Sequence, residues 1–436
     1  MDNEQIKVRL KSSMILLIIF VVAMALRIIL NVARQELFFQ TSFLKPIDQS
    51  DDRTSSDAGW YIYSAKGFLS GKGVASMEKA IVPCCGDTKK PIAGFIDRKE
   101  IDDKYFVHKA VPPLYTLFLA LCYSIGGFNI LAYFIPQLIL SSLTCLLIYL
   151  LAEEVFNKTV ALFSGFAVAF YPDLIFWTSF ARPETLFIFL LVLGFLLLIK
   201  GNSRKNPFLL YISAIVLGLA SLTRITLTPF LPLIFLWQAY FYSKNRKENF
   251  KVALLMVLII AAVLLPWGMR NYIVFGKFTV LSDEAGVLIG TIESGEQYTV
   301  IKINKGYNSY DILIIKIFVF IKDNFKVYLA SCWDRFVIFW SPFTHVMRPL
   351  AKVYKGLSWL IIFPAAFWGM IISRKKWKRG VGLIIAFIFY YSLLYTMTLM
   401  NLNLVYRYPI QPLLCIFAAY TFYRIYTRIK KKDRLK

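Results

Sequence analysis

The chain has 436 residues, 58% of them hydrophobic and 17% aromatic, with a formal charge of +24. Uncharged apolar runs approaching the ~20 residues of a membrane span exclude a soluble domain. The cations cluster in short loops between those runs, as positive-inside topology requires, and form no basic domain that would grip nucleic acid.

Lys7, Arg9 and Lys11 precede the first apolar run, residues 12–30, and put the N-terminus in the cytoplasm. No small-residue cleavage signal interrupts that run, so it reads as an anchor and not as a cleaved signal peptide. Residues 31–111 then form a polar outer loop. Within it, Asp57-Ala58-Gly59-Trp60-Tyr61-Ile62-Tyr63-Ser64-Ala65 is spaced as a short amphipathic helix. Asp57, Trp60, Tyr61, Ser64 and Phe68 share one face, and Ala58, Ile62, Ala65 and Leu69 share another. Ser55 and Ser56 are N-cap candidates, and Gly71 and Gly73 are stop signals. Asp57 falls in the first turn, where the positive helix end favours a carboxylate. Such an acid suits a general base at a membrane surface; taken alone, it reads more readily as a capping acid on a surface helix.

Residues 112–126 are apolar but short, and a span there would put the following basic loops on the wrong side. They are expected to form a re-entrant or interfacial helix on the outer face. With that choice, spans fall at 129–151, 159–177, 184–199, 208–222, 227–242, 252–267, 356–372, 381–399 and 409–425. The basic stretches 200–206, 243–251, 373–379 and 430–436 all lie inside. The expectation is an all-α, polytopic, multi-pass protein of the cell membrane with about ten transmembrane helices in a single domain, residues 1–436. Both termini are cytoplasmic, and amphipathic interfacial helices lie in two large outer loops, 31–111 and 270–355. Residues 310–325 mix Ile, Phe and Val with Lys316, Lys322 and Asp323, as a helix lying along the bilayer does.

No internal repeat and no Walker-type glycine loop stands out. The six cysteines are irregularly spaced; Cys84-Cys85 is a vicinal pair in a polar loop, while Cys122, Cys145 and Cys415 read as small apolar side chains. Asp57, His108, Lys109, Arg182, Glu184, Arg224, Arg270 and Arg407 all fall at outer ends of spans or in outer loops. Charges at a membrane boundary are costly unless paired or hydrated, so this grouping points to an outward-facing polar cavity. The excess of cations fits an anionic ligand such as a phosphate. For each arginine singly, a snorkelling boundary residue is at least as good a reading as a ligand contact.

Several short segments, in order, resemble glycosyltransferase family 39. They are Asp57 with Tyr61 and Ala65; Pro112-Pro113-Leu114-Tyr115 and the apolar residues after it; and Phe170-Tyr171-Pro172 with Arg182-Pro183-Glu184. The series continues with Gly218-Leu219-Ala220-Ser221-Leu222-Thr223-Arg224, Pro266-Trp267-Gly268-Met269-Arg270-Asn271-Tyr272 and Tyr406-Arg407-Tyr408-Pro409. That family includes protein O-mannosyltransferases and the transferase that adds aminoarabinose to lipid A, all of GT-C architecture. The resemblance implies an inverting transferase that takes a sugar from a polyprenyl-phosphate donor. The acceptor, a lipid, protein or cell-envelope glycan, would lie on the outer or periplasmic side. Asp57 matches the family's essential acid, the general base. Glu184 matches a second carboxylate, which would orient Asp57 or a cation. Lys109, Arg224, Arg270 and Arg407 take positions suited to the leaving phosphate. Trp60, Tyr61, His108, Arg182 and Tyr406 would line the same cavity.

The chain also departs from the pattern. Ala58 stands where many members have a second acid, and His108-Lys109, with two further residues before Pro112, is the nearest counterpart of an acid-lysine pair. No cofactor is expected; a divalent metal joining His108 and His345 stays open on two histidines without fixed spacing. The alternatives are a transporter or flippase of a lipid-linked phosphate, and a non-catalytic scaffold. A transporter is expected to carry charges at mid-membrane depth in repeated halves, and a scaffold has no use for acids and arginines at one depth.

Overall fold

The computed structural model describes residues 3–38, 57–77, 98–100, 105–108, 111–241, 245–280, 322–323, 325–342, 349–398 and 404–433. A long first helix, α1 (Asn3–Phe38), precedes the short α2 (Asp57–Leu69). Three strands, β1 (Ala75–Met77), β2 (Arg98–Glu100) and β3 (Tyr105–His108), make an antiparallel sheet in the order β1-β3-β2. Ala75 pairs with Val107, and Arg98 with His108. This sheet is not among the sequence expectations, which read residues 31–111 as a polar loop with one helix. The rest of the described chain is helical, as expected of an all-α membrane fold.

α3 (Pro113–Gly126) has Pro113 at its first position, where a missing N–H costs nothing. Asn129 then accepts from the Ala132 amide at 3.0 Å and caps α4 (Ile130–Val155). α5 (Lys158–Phe170) is followed, after a 53° bend, by α6 (Pro172–Phe176) and a 3-10 turn, Trp177–Ser179. α7 (Glu184–Arg204) and α8 (Pro207–Thr223) form a hairpin, and the 3-10 turn Ile225–Phe230 leads into α9 (Leu231–Phe241). α10 (Arg246–Phe275), α11 (Phe325–Trp340) and α12 (Pro349–Ile372) follow. The basic 3-10 turn Arg374–Arg379 connects to α13 (Val381–Thr398), and a second 3-10 turn, Leu404–Ile410, to α14 (Gln411–Asp433).

Five of these helices are long and apolar enough to cross a membrane, six with the bent α5–α6 pair taken as one span. The shorter apolar helices are Pro113–Gly126, Pro207–Thr223, Ile225–Phe241 and Val381–Met397. The protein is a multi-pass membrane protein. The ten expected spans fall on the five long helices, the bent pair, the last three of the shorter ones and α14; length and composition alone do not fix the count at ten.

α7 is the central helix, with 78% of its apolar window buried, packed between α4 and α8. α1 lies at the edge, showing Met14, Leu17, Val21 and Ile28 outward while Ile19, Ala23, Arg27 and Asn31, four residues apart, face inward. Cys122, Cys145 and Cys415 are buried free thiols, as read; Cys84 and Cys85 lie outside the described residues.

One local expectation needs correction. α3 and β1 pack on α2 together and cover residues of both proposed faces: Ala58, Tyr61, Ile62, Ser64 and Ala65 are buried and Trp60 is half-buried, while Lys66, Phe68 and Leu69 are exposed. β1 comes so close that a Cβ on Gly67 would lie 2.1 Å from the Ala75 carbonyl oxygen. α10 runs on through Arg270, where the second outer segment is expected to begin, to Phe275 and stops at Gly276, whose φ of +69° suits glycine. In that segment α11 buries Tyr328, Arg335 and Phe339 and exposes Leu329, Trp333 and Phe336, while residues 310–321 lie outside the described set.

α12 and α14 approach as closely as α2 and β1, since a Cβ on Gly369 would meet the Phe417 carbonyl oxygen at 2.1 Å. Gly369→Ala is therefore expected to destabilise the protein by about 1–3 kcal/mol through overpacking. Thermal unfolding in detergent should show a lower midpoint than wild type.

Candidate active site

The polar residues singled out from the sequence gather where helices begin, end or break. The bend after α5 is the clearest case. Pro172 has no amide hydrogen to donate, so the spanning hydrogen-bond ladder is interrupted and carbonyls are freed in an apolar surrounding. Arg27 of α1 takes up the Ala169 carbonyl at 3.4 Å and Tyr354 of α12 that of Phe170 at 2.9 Å; further on, side chains from α1 and α4 serve the carbonyls left where α6 and the 3-10 turn end. Asn31 Nδ2 donates to the Ile175 carbonyl at 3.0 Å, and Gln137 Nε2 to those of Thr178 and Phe180 at 3.2 and 2.9 Å. Tyr115 of α3 donates to Gln137 Oε1 at 3.1 Å and meets Tyr61 of α2 edge to face, with ring centroids 5.1 Å apart. A continuous set of contacts thus runs from α2 through α3 and α4 to the broken helix.

Beside the break, Glu184 opens α7 and Arg224 ends α8, and their side chains form a buried ion pair, Arg224 Nη2 to Glu184 Oε1. The hairpin accounts for their meeting, since the first residue of one antiparallel helix lies opposite the last of its neighbour. The positive end of α7 also favours the carboxylate. Glu184 Oε2 is buried without a hydrogen-bond partner. The Arg224 guanidinium lies 5.8 Å from the Tyr406 ring centroid, and Tyr406 stacks on Tyr395 at 4.9 Å. Arg182, just before α7, lies over the Trp177 ring at 5.0 Å.

The 3-10 turn before α14 faces the same region. Tyr408 is buried and accepts a hydrogen bond from Trp177 Nε1. Burial, and after it the neighbouring Asp173, pushes the Tyr408 phenol well up, so it stays protonated. Arg407 donates to the carbonyls of Phe339 and Ser341 at 2.9 and 2.8 Å, pinning this turn to the end of α11.

Residues 110–267 match the family model described as dolichyl-phosphate-mannose-protein mannosyltransferase. The whole fold is similar to solved membrane enzymes. The oligosaccharyltransferase AglB of Archaeoglobus fulgidus, in complex with an inhibitory peptide and a dolichol-phosphate, superposes with a TM-score of 0.57 at 16% identity, covering 97% of this chain and 51% of its own. ArnT of Cupriavidus metallidurans, bound to undecaprenyl phosphate, gives 0.52 at 14% identity, covering 85% of this chain and 56% of its own. The chain has the GT-C fold. It spans about half the length of the solved structures it matches. No curated protein sequence matches it.

Within the GT-C frame the expected residues divide into three groups. Glu184, Arg224 and Tyr406 come together directly. Trp60 and Tyr61 sit on α2, which Asp57 opens. Arg270, half-buried near the end of α10, donates to the Val74 carbonyl at 3.2 Å, on the stretch that connects α2 to β1. Its guanidinium lies between the Trp267 and Phe275 rings at 4.8 and 5.3 Å. His108 ends β3, while Lys109 and His345 lie outside the described residues. Among the described residues no group of three or more His, Cys, Asp or Glu side chains comes together, and a metal joining His108 to His345 would fall outside that set. One further Archaeoglobus oligosaccharyltransferase structure is described as a complex with Zn and sulfate.

The sequence reading passed over Arg27, Asp173, Lys355 and Gln411. Arg27 is fully buried in the first span and donates to Ser141 Oγ at 2.7 Å. Asp173 is ion-paired with Lys355 Nζ at 2.6 Å and accepts from Gln411 Nε2 at 3.1 Å. A signal was present: a cation inside an apolar run, and an acid directly after the Tyr-Pro of a span, each need a buried partner.

Removing one member of a buried ion pair leaves the other charge uncompensated, at a cost of about 3–5 kcal/mol. Arg224→Ala should lower the unfolding midpoint well beyond what Arg270→Ala does, because among the described residues no carboxylate pairs with Arg270. Parallel thermal melts of the two variants in detergent check this.

Proposed function

We propose that the protein is an inverting glycosyltransferase that uses a polyprenyl-phosphate-linked sugar and an acceptor on the outer side of the membrane. The carrying observation is the GT-C fold, together with the buried Glu184–Arg224 pair at the level of the α5–α6 break. Its support comes from relatives solved with dolichol-phosphate and undecaprenyl phosphate, and from the family-model match over 110–267. The outward-facing site and the cytoplasmic termini rest on the positive-inside pattern, in which the basic turn Arg374–Arg379 and the end of α14 lie opposite the candidate site.

In this reading the acceptor hydroxyl gives its proton to Asp57 as its oxygen attacks the anomeric carbon. The bond from that carbon to the phosphate oxygen breaks, and the polyprenyl phosphate leaves with the electron pair. Attack opposite the leaving group inverts the anomeric centre. Developing charge on the phosphate calls for fixed cations, and Lys109, Arg224, Arg270 and Arg407 are assigned to it, each through whatever capacity its existing bonds leave. Arg407 already serves two backbone carbonyls and Arg224 already serves Glu184, so Arg270 and Lys109 carry the larger share in this assignment. Glu184 fixes the orientation of Arg224. Trp60, Tyr61, His108, Arg182 and Tyr406 shape the cavity.

The test is release of polyprenyl phosphate from polyprenyl-phosphate sugars by the purified protein in lipid. Wild type is expected to release it, and Asp57→Asn to be slower by at least about a hundredfold, the scale of general-base catalysis. Equal release from both would remove Asp57 from the mechanism. No release with any donor, alongside movement of the donor across vesicles, would overturn the transferase in favour of a flippase.

A further inference from the structure

A cavity of about 20 Å³ lies against Glu184, on the side of α7 that faces α1, α4 and the broken helix. Its walls include Arg27, Ser141, Thr144, Asp173, Glu184 and Tyr408. Its size is that of one water molecule, and its lining has the several polar partners such a water needs.

The charges around it alternate. Lys355 pairs with Asp173, and Arg224 with Glu184. Arg27, on the same cavity, is fully buried and among the described residues donates to uncharged groups: Ser141 Oγ at 2.7 Å, the Ala23 and Ala169 carbonyls at 3.1 and 3.4 Å, and Cys145 Sγ at 3.5 Å. A buried guanidinium without a carboxylate in contact is costly, and the carboxylates of Asp173 and Glu184 line the same cavity. Glu184 Oε2, buried and unpartnered, is the acceptor that such a water would serve. Lys355 approaches Asp173 Oδ1 as an ion pair without an aligned hydrogen bond, which leaves that oxygen able to accept from the cavity as well.

We propose that Arg27 and Asp173 are positioning residues for Glu184, acting through one water held in the cavity that all three line. The inference rests on the transferase reading, in which Glu184 orients Arg224. Without Asp173, Glu184 is the acid left in the described lining of the cavity with Arg27, and its carboxylate is drawn toward the guanidinium. Without Arg27, the water loses its strongest fixed neighbour. In both cases the Glu184–Arg224 geometry loosens without any change at the donor itself.

The experiment is a double-mutant cycle on the full-length protein in lipid, following polyprenyl phosphate release. Asp173→Asn and Arg27→Gln should each lower kcat about tenfold, equivalent to about 1.4 kcal/mol, with the KM for donor little changed. In a Glu184→Gln background the same substitutions should cost less than about twofold. A merely structural role would leave the losses independent of Glu184, so losses that multiply overturn the proposal while leaving the transferase reading intact. Wild-type kcat in Glu184→Gln would overturn the proposal together with the role given to Glu184. If the charge variants do not fold, Thr144→Ile decides: it fills the cavity without changing charge, and it should reproduce the tenfold loss. Full activity in a folded Thr144→Ile protein would overturn the water-mediated role.

Discussion

Ionised groups buried in an apolar fold must meet opposite charges or saturate their hydrogen bonds, and the helix arrangement at one end of this protein follows from that demand. Glu184 and Arg224 stand at facing ends of α7 and α8, so the α7–α8 hairpin and the ion pair need the same registration. A one-turn slip of either helix would bury two isolated charges. Asp173 and Lys355 do the same between α6 and α12, two elements far apart in the chain. Apolar packing alone tolerates sliding, because one leucine replaces another. The ion pairs do not, and so they set the depth at which each helix stops.

The break after α5 is the second determinant, and it depends on the first. Proline at residue 172 frees backbone carbonyls inside the fold, which is tolerable only where protein groups replace the lost ladder. Arg27 does this for the Ala169 carbonyl at the break, and Asn31 and Gln137 do it for those of Ile175, Thr178 and Phe180, where the short helix after the break ends. The freed backbone thereby becomes the joint at which α1, α4 and α7 meet. It also turns Asp173 inward, so one irregularity supplies both the polar cavity and one of its two carboxylates.

The sequence showed the membrane class, most helix positions and the residues at helix ends, because hydrophobic runs and proline, glycine and asparagine stops are local signals. Asn129 at the start of α4 is such a case. Pairing was not local. Glu184 and Arg224 were both noted, but nothing within either segment says that one guanidinium serves the other carboxylate. Arg407 was assigned to an anion, yet its hydrogen bonds go to carbonyls on α11, a helix 66 or more residues earlier in the chain. Arg27 was hidden by its surroundings, since a single cation near the end of an apolar run looks like a snorkelling residue. The sheet was missed because its strands are three or four residues long and lie within a polar loop of mixed charge.

The helix opened by Asp57 illustrates how a short element in a loop acquires a fixed place. Thirteen residues are too few to hold a helix in water, so the position of α2 must come from outside it. Three contacts supply that position. The absence of a side chain at Gly67 lets β1 lie directly on the helix, Tyr61 packs against Tyr115, and Arg270 binds the Val74 carbonyl just beyond the helix. Tyr115 is in turn bonded to Gln137, which caps the broken helix next to α7. The position of α2 is therefore coupled, through two side chains, to the same break that orders the buried acids. An arginine at the end of α10 supplies its remaining restraint, and this gives Arg270 a structural reason to lie beside the loop whatever anion it also meets.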